Sequence, residues 1–288
     1  MQRPWQGGTV DHGGPVAETS ASTAVWDPPR ATGADRSRLR WEVGLVLAVS
    51  LGQSAVYSLL TLARSIQRSL EAGETLGAQQ AQLNPARDSD AVWDALYQVL
   101  DTVFALAVVG LVVYLLWEPG SNALRRIGLD LSRPVADLRR AVLLMVVVGL
   151  PGLALYAGGR LVGLTVAVQA APLDRSWYAV PLLLLAAVRA GLSEEVVLLG
   201  YLFDRLRRLG WGWWPVILAT AGLRATYHAY QGFGPMLGNF AMGILFGWAY
   251  RRWGRVMPFV LAHALIDAVA FVGYPVAAAA WPALFGTS

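Results

Sequence analysis

Apolar residues run in long unbroken stretches along most of this chain, and the polar residues between them fall in short clusters. Strands of a closed barrel would alternate apolar and polar positions, so the pattern predicts helices instead. A helix crosses a bilayer with about 17–25 apolar residues. Such spans are expected at about 42–63, 96–117, 140–158, 177–203, 213–230, 235–250 and 256–274. A last apolar piece, 276–285, is too short to cross and is expected at the interface or as a cap on the bundle. Residues 1–35 are rich in Gly, Pro, Ala, Thr, Ser and Asp without periodicity and read as a disordered tail. The tail lacks the apolar centre of a cleavable signal peptide, and its His12 reads as solvated. The fold class expected is all-α, a polytopic transmembrane helical bundle of about seven spans. Its parts would be a tail (1–35), three N-terminal spans with their loops (36–176), a four-helix core (177–275) and a short apolar C-terminal segment (276–288).

Composition sharpens this picture. The chain has 288 residues, 56% hydrophobic and 15% charged, with a mean hydropathy of +0.46; soluble domains carry about 25% charged residues. The absence of cysteine rules out disulfides and thiolate metal sites. All 23 basic residues are arginine. Fifteen of them fall in alternate loops, starting with the segment before the first span, and five fall in the opposite loops. By the positive-inside rule the N-terminus is cytoplasmic and loop 64–95 external. The net charge of +4 then reads as a topology signal and not as a nucleic-acid surface. The Arg, Ala, Gly and Val load suggests GC-rich coding and hence a bacterial plasma membrane.

Four ionisable groups stand where the apolar pattern should tolerate none. Glu194 and Glu195 interrupt the run 177–203, and His228 and His263 interrupt two later runs. Each such group costs at least about 2.5 kcal/mol in a membrane helix, so a functional site is the default explanation. On a rise of about 1.5 Å per residue, Glu194 and Glu195 lie ~15 Å in from the cytoplasmic end, Arg224 and Asp267 ~16 Å, His263 ~10 Å and His228 ~22 Å. Arg224 and His228 are spaced i and i+4, as are His263 and Asp267, so each pair shares a helix face. Adjacent carboxylates at low dielectric resist joint ionisation, which suits one of them to take a proton from water. Histidine can share that proton, hold a metal or donate to an oxyanion. Glu194, His228 and His263 could also hold zinc with an open water position; zinc and a metal-free reaction both stay open. Ser193 precedes the glutamates, but a serine in such a helix is expected to bond its own backbone.

These residues carry a resemblance. The segment 193–202, Ser-Glu-Glu-Val-Val-Leu-Leu-Gly-Tyr-Leu, is similar to the first motif (Glu-Glu-x-x-x-Arg, then Gly) of the CPBP or Abi family of CAAX-protease and bacteriocin-processing intramembrane proteases. Arg224-Ala-Thr-Tyr-His228, followed by Ala-Tyr-Gln-Gly, resembles the second motif, Phe-x-x-x-His. His263-Ala-Leu-Ile-Asp267 matches the third, His-x-x-x-Asn or Asp. The resemblance covers about residues 178–272. It implies an intramembrane endopeptidase acting on a membrane-embedded peptide or protein. Glu194 would be the base that activates water, Glu195 would orient Glu194, His228 would assist the water, and His263 with Asp267 would stabilise the oxyanion or hold a metal. Two positions depart from the family pattern: Leu199 stands where the first motif has arginine, and Arg224 where the second has phenylalanine. Arg224 is therefore expected to replace the missing cation and pair with Glu195. Asp267 is expected to orient His263.

Other readings stand beside this one. The glutamates could form a structural ion pair with Arg189 or Arg224, and Arg189 could instead meet a substrate carboxylate. The chain could be a catalytically silent relative acting as a membrane scaffold or immunity protein. Intramembrane Glu and His also mark proton-coupled transporters, but the internal repeats common there are not seen. Gly243 and Gly247 form a Gly-x-x-x-Gly pair that predicts a tight helix contact. The partners expected are the lipid bilayer and a membrane-embedded substrate; the oligomeric state is not legible.

Overall fold

The computed structural model describes residues 27–169, 178–273 and 276. The tail 1–26, with His12, and most of the apolar C-terminal segment lie outside them. Residues 27–32 are irregular, and α1 begins inside the expected tail. The helices are α1 (Gly33–Ala48), α2 (Leu51–Ala72), α3 (Ala91–Leu115), the short α4 (Ala123–Arg126) and α5 (Pro134–Leu161). They continue with α6 (Ala179–Glu195), α7 (Phe203–Arg208), α8 (Trp213–Tyr227), α9 (Phe233–Trp253) and α10 (Met257–Ala268). The all-α bundle expected from the apolar runs is what forms.

Two helices, α3 and α5, are long and apolar enough to cross a membrane on their own, and α1 with α2 makes a third candidate. The first expected span is this last pair, bent by 52°. The bend sits at Ser50, whose Oγ donates to the Val46 carbonyl at 2.5 Å, a back-bond that opens helices. Past it, α2 runs nine residues beyond the expected end of the span, so part of the expected loop 64–95 is helix. α3 starts five residues early because Asp90 caps it, accepting from the Val92 and Trp93 amides. The four expected C-terminal spans correspond to α6 through α10. Their helices fall short of the same test: α6, α8 and α10 are too short, α6 and α10 running into π-helical stretches, and α9, at 21 residues, is long enough but not apolar enough.

Those stretches follow the polar residues. Val196–Leu202 is π-helical directly after Glu195, and Val269–Gly273 directly after α10. Around them lies the apolar core, with Val196, Tyr201, Ile217, Phe246 and Phe259 fully buried. α10 packs between α5 and α6, and α8 between α2 and α9. The Gly-x-x-x-Gly contact is with α8: a Cβ on Gly243 would lie 2.7 Å from the Ala221 Cα.

One element was not expected. Strands β1 (Gln80–Gln82) and β2 (Ala167–Gln169) pair in parallel, with Gln80 opposite Ala167. The segment before β2 continues into a bridge between Thr165 and Gly232. Gly232 has φ +94, and a Cβ there would meet the Leu164 carbonyl at 2.9 Å. The turn that follows α8 is thereby clipped to the β2 segment, with Val166 N donating to the Gln231 carbonyl at 3.2 Å.

Candidate active site

α6 supplies the two glutamates. Gly191, one turn earlier, brings the backbones together: a Cβ there would lie 2.7 Å from the Val260 carbonyl oxygen of α10. That close approach sets His263 against Glu195. His263 Nδ1 and Glu195 Oε1 are 2.7 Å apart, and both side chains are buried. An ionised carboxylate only accepts, so the proton of this contact belongs to Nδ1. His263 Nε2 then points the other way, 3.9 Å from Glu194 Oε2 and 3.5 Å from Asp267 Oδ2.

α8 supplies the cation. The Arg224 guanidinium is 1% exposed. It donates from Nη2 to Glu195 Oε1 at 2.6 Å and from Nη1 to Glu194 Oε2 at 3.2 Å. The pairing anticipated with Glu195 is thus present, and it reaches Glu194 as well. Leu199, at the position of the absent arginine, is buried in the apolar core. A charge left alone at this depth would cost several kcal/mol, which is why one guanidinium between two carboxylates makes physical sense.

His228 caps the C-terminus of α8 and is not inside a helix as the run 213–230 suggested. Its Nε2 lies 3.9 Å from Glu194 Oε2. Both of its ring nitrogens are buried without a hydrogen-bond partner among the described residues. The turn behind it is held by Tyr230 N donating to Ser58 Oγ of α2 at 2.8 Å.

Of the expected site residues, Glu194, Glu195, Arg224, His228, His263 and Asp267 converge. Arg189 does not join them; it is half-buried on α6 with no hydrogen bond or ion pair among the described residues. Asp267 was expected to orient His263, but Glu195 makes the short contact at Nδ1 and Asp267 stands farther off at Nε2. Ser193 Oγ is buried without a partner and does not bond its own backbone as expected. One site residue was missed. The Tyr227 hydroxyl donates to Glu194 Oε2 at 2.5 Å. A tyrosine beside the histidine of the second motif was the available signal, but a lone aromatic in an apolar run reads as core.

The same geometry tests a metal. Glu194, Glu195 and His263 offer ligand atoms all within 4.8 Å of one another, a different trio from the expected Glu194, His228 and His263. The guanidinium of Arg224 already contacts both carboxylates of that trio. A divalent ion there would face a buried cation across the oxygens it must bind, so that trio fits a metal poorly.

Apolar helices packed around a buried polar centre define an integral membrane protein. Residues 176–269, about a third of the chain, match the family model described as type II CAAX prenyl endopeptidase Rce1-like. The match bears out the resemblance read from the three motifs and indicates, at the level of the family, a CAAX-type intramembrane protease. No curated protein and no solved structure matches the chain.

Proposed function

We propose that this protein is an endopeptidase that hydrolyses a peptide bond of a membrane-embedded protein or peptide with water activated by glutamate and histidine. One observation carries the reading: around Glu194 Oε2 stand His228 Nε2 and His263 Nε2, each at 3.9 Å, with Arg224 Nη1 at 3.2 Å. A base, two imidazoles and a counter-cation in one buried centre are what water attack on a carbonyl needs.

In this reading, Glu194 takes a proton from water while His228, whose nitrogens have no protein partner, orients that water. The water oxygen bonds to the substrate carbonyl carbon. His263, protonated on both ring nitrogens in this reading, donates from Nδ1 to Glu195 and from Nε2 to the developing oxyanion, and the Asp267 carboxylate beside Nε2 balances its charge. The C–N bond then breaks, and the leaving amine takes the proton from Glu194. Arg224 bridges the glutamate pair. No step requires a resident metal ion.

The catalytic unit in this reading is 177–275, carried by the spans of 36–176, with a tail over 1–35 and a short apolar segment over 276–288. The chain would sit in a bacterial plasma membrane with its N-terminus in the cytoplasm, as the arginine distribution supports. The substrate is identified by comparing the membrane proteins of cells carrying wild type and Glu194→Gln. Wild-type membranes should contain truncated products whose uncut forms accumulate in Glu194→Gln. Identical protein profiles would count against proteolysis.

A further inference from the structure

Tyr227 has no role in that reaction, yet it makes the shortest contact in the site, 2.5 Å from its hydroxyl to Glu194 Oε2. We propose that Tyr227 is the positioning residue that turns the Glu194 carboxylate so that Oε1, and not Oε2, receives the proton from water. The inference deepens the protease reading and rests on it.

The two oxygens of Glu194 differ. Oε2 accepts from Tyr227 and from Arg224 Nη1, which fills its two lone-pair directions, and it also faces both imidazoles. Among the described residues, no donor reaches Oε1. The Glu194 side chain is 14% exposed while that of Glu195 is fully buried, so of the pair only Glu194 is open to solvent. An oxygen already holding two donors is a poor base for a third proton. The oxygen that holds no donor is the one left to accept from water.

Tyr227 is built to hold this orientation. It is buried in the last turn of α8, and its ring lies against the His228 ring with centroids 4.8 Å apart. One rigid side chain therefore sets the base through its hydroxyl and the water-orienting imidazole through its face. Arg224 cannot do this alone, because its closer contact, at 2.6 Å, is with Glu195. In the reaction an O–H bond of water breaks toward Oε1, and the water oxygen bonds to the carbonyl carbon. The C–N bond breaks, and the amine nitrogen takes the proton back from Oε1. Tyr227 keeps its own proton throughout.

The test is Tyr227→Phe, which keeps the ring against His228 and removes only the hydroxyl. For the purified protein in lipid vesicles with a membrane-inserted peptide, kcat should fall about tenfold to a hundredfold, the worth of one hydrogen bond to a charged group. KM should stay near the wild-type value. A kcat within about twofold of wild type, by the same scale, overturns the inference. A thermal cycle reads the contact without any activity. Tyr227→Phe should lower the midpoint of unfolding in wild type and cost less in a Glu194→Ala background, where the partner is gone. Equal losses in the two backgrounds also overturn it. If wild type cleaves nothing while the cycle shows coupling, the protease reading fails and the assignment of Tyr227 to Glu194 stands.

Discussion

His263 Nδ1 and Glu195 Oε1 stand 2.7 Å apart, joining α10 to α6 one turn beyond the point where Gly191 lets the two backbones touch. The contact depends on that missing Cβ, because an alanine Cβ at 191 would sit 2.7 Å from a backbone oxygen that cannot turn aside. Gly191→Val should therefore push α10 off α6, costing about 1–3 kcal/mol of stability as overpacking does. It should also lower cleavage about a hundredfold through a displacement of His263 on the order of 1 Å. Thermal unfolding and turnover of the purified variant check both.

Arg224 serves two carboxylates at once. Arg224→Ala takes the guanidinium away from the buried Glu195 and the partly buried Glu194 and should destabilise the protein by about 3–5 kcal/mol. Arg224→Lys keeps the charge but offers a single point donor in place of a planar fork. It should fold yet lose most activity. Wild-type turnover in Arg224→Lys would remove the bridging role.

Activity should survive chelation. The guanidinium occupies the positive position that an ion would need, so prolonged dialysis against a strong chelator should leave most of the cleavage rate. Loss of activity restored by zinc alone, with one zinc bound per chain, would show the opposite.

Outside the bilayer, Asp130 gives a pH-dependent contact. Hydrogen bonds from Ser132 and Arg255 draw its carboxyl down to about 2 from 3.8. A group lowered in the folded state stabilises above its unfolded value and loses that contribution as pH falls toward the folded one. Asp130→Asn should lower the unfolding midpoint at pH 6, and the difference from wild type should shrink steadily toward pH 2. A difference that does not change with pH would rule out the charged contact.

Much of this was legible in the sequence because length and spacing carry the information. Apolar runs long enough to cross a bilayer become helices, and residues spaced by four, Arg224 on α8 with its C-cap His228 and His263 with Asp267 on α10, do meet one polar centre. What was not legible depends on contacts distant in the chain. β1 and β2 are three residues each and are far apart in sequence, too short for an alternating pattern to register. The bend at Ser50 needs one hydroxyl to turn inward. Gly191 resembles every other small residue of a membrane helix until α10 is laid against it. Tyr227 resembles core until its hydroxyl is seen to end on Glu194.

The most direct measurement uses purified wild type and Glu194→Gln, each folded in lipid vesicles with the same membrane-inserted peptides, and identifies products by mass spectrometry. The account predicts new peptide termini with wild type and none with Glu194→Gln. Equal cleavage by both, or intact peptides with a well-folded wild type across the whole substrate set, would contradict it.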